Sequence, residues 1–409
     1  MEKIKVPVLI VGAGPARCCA SFELSKSSIQ HIILEKDTFP RDKICGDALS
    51  GKVLDILDRS HPEFLPEFEK RTDVFIPSPG IRFYGPNGKK VDIPCPPRKD
   101  GLTAGFVAKR EGFDQLLTEH LNADFCTLYQ KTSDLSFESG NKVTFCVGEK
   151  QYEVEYDIVM GADGARSKTA EHFVGRIIDK DHHSAAVRAY YTNVTGFENN
   201  FIELHFIKDL LPGYFWVFPL PNNEANVGLG MLSSKIVKNK VNLRNRLVDV
   251  VENHPALRDR FKNAKLQGSI KGWGLPLGSK KRQLSGDNFM LIGDAGWLID
   301  PFTGEGIGNA FVSGRSAAKW AVEAVKKGDY SASYLQQYDA EIYGKLWEEL
   351  KLSHRLQRLS SIKWLFNYLI NKATNSKKLQ ETMTLMYTSM DMRAKLKNPL
   401  FYLSLLKGD

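Results

Sequence analysis

Residues 5–35 constrain the fold more than any other stretch. An apolar run from Lys5 to Val11 leads straight into Gly12-Ala13-Gly14-Pro15-Ala16, then a helical pattern from about Cys18 to Lys26. A second apolar run, His31-Ile32-Ile33-Leu34, ends at Glu35. Strand, glycine turn, helix, strand and terminal acid form a βαβ unit that matches the dinucleotide-binding fingerprint. The first glycine makes the turn, the second admits a diphosphate, and an acid about 20 residues on takes ribose hydroxyls. Two parallel strands joined by a helix also commit the region to a parallel sheet. One position breaks the pattern. The third glycine, which permits close helix–strand packing, is replaced by Arg17. An arginine there must displace the helix, point outward or meet a phosphate.

A second glycine-rich turn lies far along the chain. The run Phe289 to Ile292 reads as a buried strand ending at Gly293-Asp294, and after Pro301-Phe302-Thr303-Gly304-Glu305-Gly306 a helix begins near Ile307. Its free N–H groups and positive dipole end suit a polar cofactor. A third turn, Gly161-Ala162-Asp163-Gly164, follows a strand starting at Asp157. Between these come a basic loop closing on Lys43-Ile44-Cys45-Gly46-Asp47 and a hairpin from Ile81 to Ile93. Arg110 precedes a helical pattern, and a hairpin turns at Gly148-Glu149-Lys150. From Ser184 to about Gly274 the pattern is β-rich and aromatic, with a helical interruption from Asn242 to Phe261. After Tyr330 it is helical and amphipathic, with Trp347, Leu350, Leu356, Leu359, Trp364, Leu365 and Leu369 on apolar faces.

With 409 residues, 42% hydrophobic and 25% charged, the chain suits one large or two intimate globular domains. No apolar run approaches the ~18 residues of a spanning helix, and the first residues enter a strand rather than a leader segment. The six cysteines show neither a CxxC pair nor metal-ligand spacing. A cytoplasmic protein with free thiols and no metal is expected. His182-His183 and His354 lack partners at ligand spacing and read as solvated or core residues. From Lys345 to Asp409 there are 12 Lys and Arg against five Asp and Glu, so this tail holds nearly all of the net +8. Charged helical faces are usually just solvated. The mixture with Trp347, Trp364, Phe366, Tyr368 and Leu369 also fits an interfacial helix on the inner face of an anionic membrane. No nucleic-acid module is present, and a monomer or weak dimer is expected.

Taken in order, the glycine turn with Glu35, Arg110 before Phe113-Asp114, Gly161 to Gly164, and Gly293-Asp294 with Pro301 to Gly306 resemble the aromatic hydroxylase and halogenase flavoprotein superfamily. Within it the chain looks most like the geranylgeranyl reductase family. The discriminating pieces are Lys43-Ile44-Cys45-Gly46, the stretch Gly213-Tyr214-Phe215-Trp216-Val217-Phe218-Pro219, and Ala225-Asn226-Val227-Gly228-Leu229-Gly230. In that family lysine usually follows the proline at position 219; here it is Leu220. The resemblance implies an α/β fold: a glutathione-reductase-like Rossmann FAD domain, an inserted antiparallel-sheet substrate domain and a helical C-terminal region. Residues 1–77, 98–175 and 285–340 would build the FAD domain. Residues 78–97 and 176–284 would build the substrate domain, and residues 341–409 a basic cap. It also implies that Gly12, Gly14, Pro15 and Ala16 face the FAD diphosphate, that Glu35 takes the adenosine ribose, and that Arg110 lies toward the flavin. Cys45, Gly46 and Asp47 would lie beside the isoalloxazine, Asp294 at the ribityl–phosphate portion, and Gly306 and Ile307 at the pyrimidine edge. Tyr214 and Trp216 would line the prenyl cavity.

The chemistry expected is reduction of C=C bonds in an isoprenoid or lipid-like small molecule, with NAD(P)H as a transient reductant of FAD. Cys45 is the candidate catalytic residue, as a proton donor or a polar anchor, since a thiol is mostly protonated at neutral pH. The bland alternatives are a cysteine packed at a tight turn and aromatics that are ordinary sheet core. A flavin-dependent monooxygenase or halogenase on an aromatic or polyene substrate is the competing reaction class. A flavin-free fold, motivated by Arg17, is the third alternative.

Overall fold

The computed structural model describes residues 1–374 other than 96, 99, 100 and 102, together with 376 and 380. Most of the basic tail beyond residue 374 lies outside them, as do the side chains of Leu365 and Leu369. The chain divides into two compact units, each built from three segments. One comprises Met1–Lys43, Arg110–His182 and Gly274–Ser353; the other Ile44–Lys109, His183–Trp273 and His354–Asp409.

The first unit is framed by a sheet whose central strands are all parallel, in the order Phe289–Leu291, Lys150–Gly161, Glu2–Val11, His31–Leu34 and Cys126–Tyr129. Val8 to Val11 and His31 to Leu34 are buried without alternation, as expected of strands covered on both faces. The hairpin expected at Gly148 to Lys150 and the strand expected at Asp157 share one strand, Lys150–Gly161. Its first half alternates, with Tyr152, Val154 and Tyr156 inside, and pairs antiparallel with Lys142–Val147. Its last four residues are buried throughout. Helix Pro15–Lys26 starts with Pro15 at its first position, where the missing N–H costs nothing. It packs on helix Ile307–Lys327 so closely that a Cβ at Gly314 would lie 2.1 Å from the Ala16 carbonyl oxygen. In helix Ala332–Ser360, Leu335, Tyr338, Ile342, Leu346 and Leu350 recur every three or four residues and are fully buried.

The second unit is framed by a seven-stranded sheet in the order Lys265–Pro276, His183–Thr192, Glu224–Leu232, Tyr214–Leu220, Ile202–His205, Gly80–Tyr84 and Lys90–Pro94. Its two faces follow from the two-residue period of a strand. Val187, Ala189, Tyr191, Phe215, Val217, Val227 and Leu229 form a core with Leu247, Val250 and Val251 of helix Leu243–Asn253. Opposite registers put Arg188, Tyr190, Tyr214, Trp216, Phe218, Asn226 and Gly228 on the other face. The helical stretch expected from Asn242 to Phe261 is broken. His254 is extended because Pro255 disfavours a helical residue before it, and a short helix resumes at Arg258–Phe261. A small sheet joins Ala48–Leu49, Gly105–Val107 and Ile76–Ser78.

Helix Lys363–Ala373 packs inward through Phe366, whose ring lies 4.6 Å from Phe206, and through buried Ile370 and Ala373. Of the apolar residues expected along this region, Leu350 is fully buried and Trp347 and Leu356 are half-buried, whereas Leu359 and Trp364 are exposed.

Candidate active site

In the first unit the fingerprint turn is closed by backbone chemistry. Gly12 donates to the Leu34 carbonyl at 2.8 Å and adopts φ +96°, and a Cβ there would meet the Ala162 carbonyl oxygen at 2.5 Å. Only glycine fits that position. Gly14 caps helix Pro15–Lys26, and a Cβ on it would meet nothing within 4 Å, so the space above the turn is open. Glu35 is buried, and its carboxylate accepts the N–H groups of Ala13 and Asp37, both at 3.0 Å. It therefore ties the end of its strand to the turn.

Arg17 neither displaces the helix nor points outward. It is fully buried, donating to the Ala13 carbonyl at 2.9 Å and Thr118 Oγ1 at 3.4 Å, with its guanidinium over the Phe39 ring. Close packing, the usual role of the missing glycine, falls to Gly314 against Ala16. Arg41 also donates to the Ala13 carbonyl, at 3.1 Å, and lies 3.4 Å from Glu35. Arg41 further reaches Asp114 at 3.0 Å, and Arg110 grips the same Asp114 with two bonds of 2.7 Å. Asp114 stands in the motif without a role and Arg41 is not singled out by it, although the four-residue spacing of Arg110 and Asp114 on a helix marks them as neighbours.

The far turn of this unit offers complementary groups. Burial pushes the Asp294 carboxyl above its ordinary range, while Lys43 and Arg110 pull it back. Among the described residues no hydrogen-bond donor reaches that carboxylate. A Cβ at Gly306 would lie 3.2 Å from Asp294 Oδ1, so glycine leaves this carboxylate room. Glu305 accepts the Gly308 N–H at 2.8 Å, and among the described residues nothing accepts the N–H of Gly306 or Ile307. An open space beside Gly14, an unengaged carboxylate and two free N–H groups fit a dinucleotide with diphosphate, hydroxyls and ring carbonyls.

In the second unit the Cys45-Gly46-Asp47 turn is fastened to the sheet by a buried amide and a tyrosine hydroxyl. Asn226 is fully buried; its Nδ2 donates to the Cys45 carbonyl at 2.8 Å and Asp47 Oδ2 at 2.7 Å, and its Oδ1 accepts from Trp216 Nε1 at 2.9 Å. The Tyr190 hydroxyl donates to the same Asp47 oxygen at 2.7 Å. Asp47 is buried at φ +69°, in the left-handed region that aspartate enters more readily than most residues other than glycine. A Cβ at Gly46 would lie 3.0 Å from the Phe218 ring, and one at Gly228 would lie 2.2 Å from Trp216, so two glycines let aromatic rings approach the backbone. Cys45 is half-buried; Tyr214 and Trp216 meet edge to face at 6.2 Å. The structure thus brings Cys45, Gly46, Asp47 and Trp216 together. It adds Asn226 and Tyr190, whose place on the Trp216 face was readable only once the strand register was known.

His182 and His183 hydrogen-bond Ser279 and Ser233, consistent with structural roles. Among the described residues there is no metal-binding cluster, all six cysteines are free, and no helix is long and apolar enough to cross a membrane.

Residues 5–348 match the FAD-binding domain family. The chain is 31% identical to the digeranylgeranylglycerophospholipid reductase of Methanococcus aeolicus, over 86% of this chain and 87% of that protein. It is 30% identical to the enzyme of the same name from Methanosarcina acetivorans, over 84% and 80%. Among solved structures it is similar to a geranylgeranyl bacteriochlorophyll reductase-like protein from Thermoplasma acidophilum, with TM-score 0.78, 25% identity, and 97% and 99% of the two chains covered. It shares its fold with a flavin-dependent brominase, with TM-score 0.73, 19% identity and 96% and 98% covered. The mixed α/β architecture, the dinucleotide-shaped turns and these relatives agree: the chain belongs to the FAD-binding domain family, as a geranylgeranyl reductase-like, FAD-dependent oxidoreductase.

Proposed function

We propose that this protein reduces C=C bonds of an isoprenoid or similarly lipid-like substrate, with NAD(P)H as the source of reducing equivalents. The observation that carries this reading is the Asn226 junction, where one buried amide links the backbone of the Cys45 turn to the indole of Trp216. A proton-bearing turn and an apolar aromatic wall are thereby held in fixed relation, which suits an alkene on a hydrocarbon chain. FAD, when bound, supplies the hydride chemistry. In this reading Gly12, Gly14, Pro15 and Ala16 line the diphosphate, Glu35 takes the adenosine ribose, and Arg110 serves the flavin end. Asp294 accepts from ribityl hydroxyls, and the N–H groups of Gly306 and Ile307 meet the pyrimidine edge. Cys45 Sγ donates the proton, Gly46 and Asp47 shape its turn, and Tyr214 and Trp216 line the hydrocarbon. The relatives' names point to a geranylgeranylated lipid as the substrate class. The finer architecture we infer is a glutathione-reductase-like cofactor domain with an inserted antiparallel-sheet substrate domain.

An anaerobic absorbance titration tests this. The yellow protein is expected to bleach with NADPH and to recover its colour on addition of a geranylgeranyl lipid. Recovery only on admitting air, with an oxygenated product, would replace this reading with a monooxygenase.

The substrate's greasy tail gives a reason for membrane contact, and the end of the described chain has suitable chemistry. Leu359, Ile362, Trp364 and Tyr368 are exposed by 42%, 40%, 72% and 44%, beside exposed Arg355, Arg358 and Lys363. Apolar side chains rimmed by cations match an anionic lipid surface, each basic residue adding about 1 kcal/mol. The protein is expected to sediment with vesicles containing phosphatidylserine, and the double variant Trp364→Ala, Tyr368→Ala to bind roughly tenfold less. Absence of sedimentation by the unaltered protein at low salt sinks this interface.

A further inference from the structure

Arg17 occupies the fingerprint's third glycine position, and its surroundings assign it a task. Its side chain is fully buried, and Nε and Nη1 have no hydrogen-bond partner. A buried guanidinium with unsatisfied donors costs stability, so its presence at this turn calls for a compensating interaction. The one strong bond it makes is to the Ala13 carbonyl, at 2.9 Å, and Arg41 bonds the same oxygen at 3.1 Å. That carbonyl belongs to the peptide whose N–H is contributed by Gly14. A peptide is planar, with its C=O and N–H pointing opposite ways. Two guanidiniums fixed on the oxygen therefore hold the Gly14 N–H toward the open side of the turn and, by polarising the peptide, make it a stronger donor. The preceding peptide is fixed as well, through the Ala13 N–H on Glu35 at 3.0 Å. Three guanidiniums, Arg17, Arg41 and Arg110, stand about this turn, where Glu35 and Asp114 take charge-assisted bonds from Arg41 and Arg110.

We propose that Arg17 is a positioning residue for the diphosphate of the bound dinucleotide, acting through the Ala13–Gly14 peptide rather than by contact. The substitution that breaks the motif is thus a gain in anion affinity, with the space-saving role of the lost glycine carried by Gly314. The test is equilibrium binding to apoprotein, using FAD and, separately, ADP, which carries the diphosphate without the flavin. Arg17→Met fills the volume and removes the charge. It is expected to weaken FAD and ADP alike by about tenfold, with the melting temperature of the apoprotein unchanged or raised, since a hydrophobe replaces an imperfectly satisfied buried cation. Arg17→Lys, which keeps the charge, should retain most of the affinity. Arg17→Gly, which restores the consensus, should bind less tightly than the native protein. Undiminished binding of both ligands by Arg17→Met overturns the proposal, as does a loss confined to FAD, which would put the effect at the flavin end. A lowered apoprotein melting temperature with affinity intact would make Arg17 framework only. Should Arg17→Met fail to fold, the Arg17→Lys comparison with ADP decides: an affinity loss as large as that of Arg17→Gly contradicts the role of charge.

Discussion

Asp114→Ala is expected to lower the stability of the folded protein by about 3–5 kcal/mol, the loss typical of breaking a buried ionic network by removing one partner. Asp114 is almost fully buried and receives three charge-assisted bonds, two from Arg110 and one from Arg41, whose side chains are themselves less than a tenth exposed. Alanine leaves two largely buried guanidiniums without the acid between them. The effect should be far larger than that of Glu155→Gln, which breaks an exposed pair with Lys5 and should leave the unfolding curve in place. Urea denaturation followed by circular dichroism measures both. A change for Asp114→Ala no larger than that for Glu155→Gln would show that solvent reaches the cluster and that the network is not what orders the turn.

Asn226→Leu is expected to reduce kcat/KM for the proposed C=C reduction by roughly 100-fold, equivalent to about 2.7 kcal/mol of transition-state stabilisation. Leucine has the branching and heavy-atom count of asparagine, with bulkier methyl groups in place of its polar atoms. The Trp216 N–H then loses its acceptor and the Cys45 carbonyl a donor, each stranded group costing about 1–3 kcal/mol. The turn bearing Cys45 is expected to relax to recover those bonds, so the thiol proposed as proton donor is no longer held against the aromatic wall. Because this is a defect of placement, kcat should fall more than KM rises, and near-ultraviolet circular dichroism should report a changed tryptophan environment. Loss of stability with kcat intact would reduce Asn226 to a structural bond and remove the main support for Cys45 as the proton donor.

What was legible in the sequence is what lies close together in it. Gly12, Gly14 and Glu35 sit within one βαβ unit, so their spacing alone carries the geometry. The period-two aromatics Tyr214 and Trp216 placed themselves on one face of a strand. Which face the helix would cover depended on Leu243–Asn253, whose apolar side could have docked on either. Asn226 and Asp47 are 179 residues apart, Tyr190 and Asp47 143, and Arg41 and Asp114 73, so no local pattern links them. Arg17 read as a defect for a different reason. A motif records one solution to close packing, and here Gly314, almost 300 residues downstream, supplies another.

The three-segment construction of each unit bears on how the protein is made. A ribosome delivers residues in order, yet the parallel sheet of the first unit lacks the strand Phe289–Leu291 until more than two-thirds of the chain has emerged. The strand Lys150–Gly161 must wait on one edge for that partner while the whole segment His183–Trp273 is synthesised. Such long-range pairing makes folding slow and leaves an unpaired edge exposed in the meantime. Neither unit can be excised or transplanted as a continuous piece. Shortened versions of this protein ending before residue 289 should accumulate as aggregates, and efficient production will depend on chaperones that shelter the waiting edge.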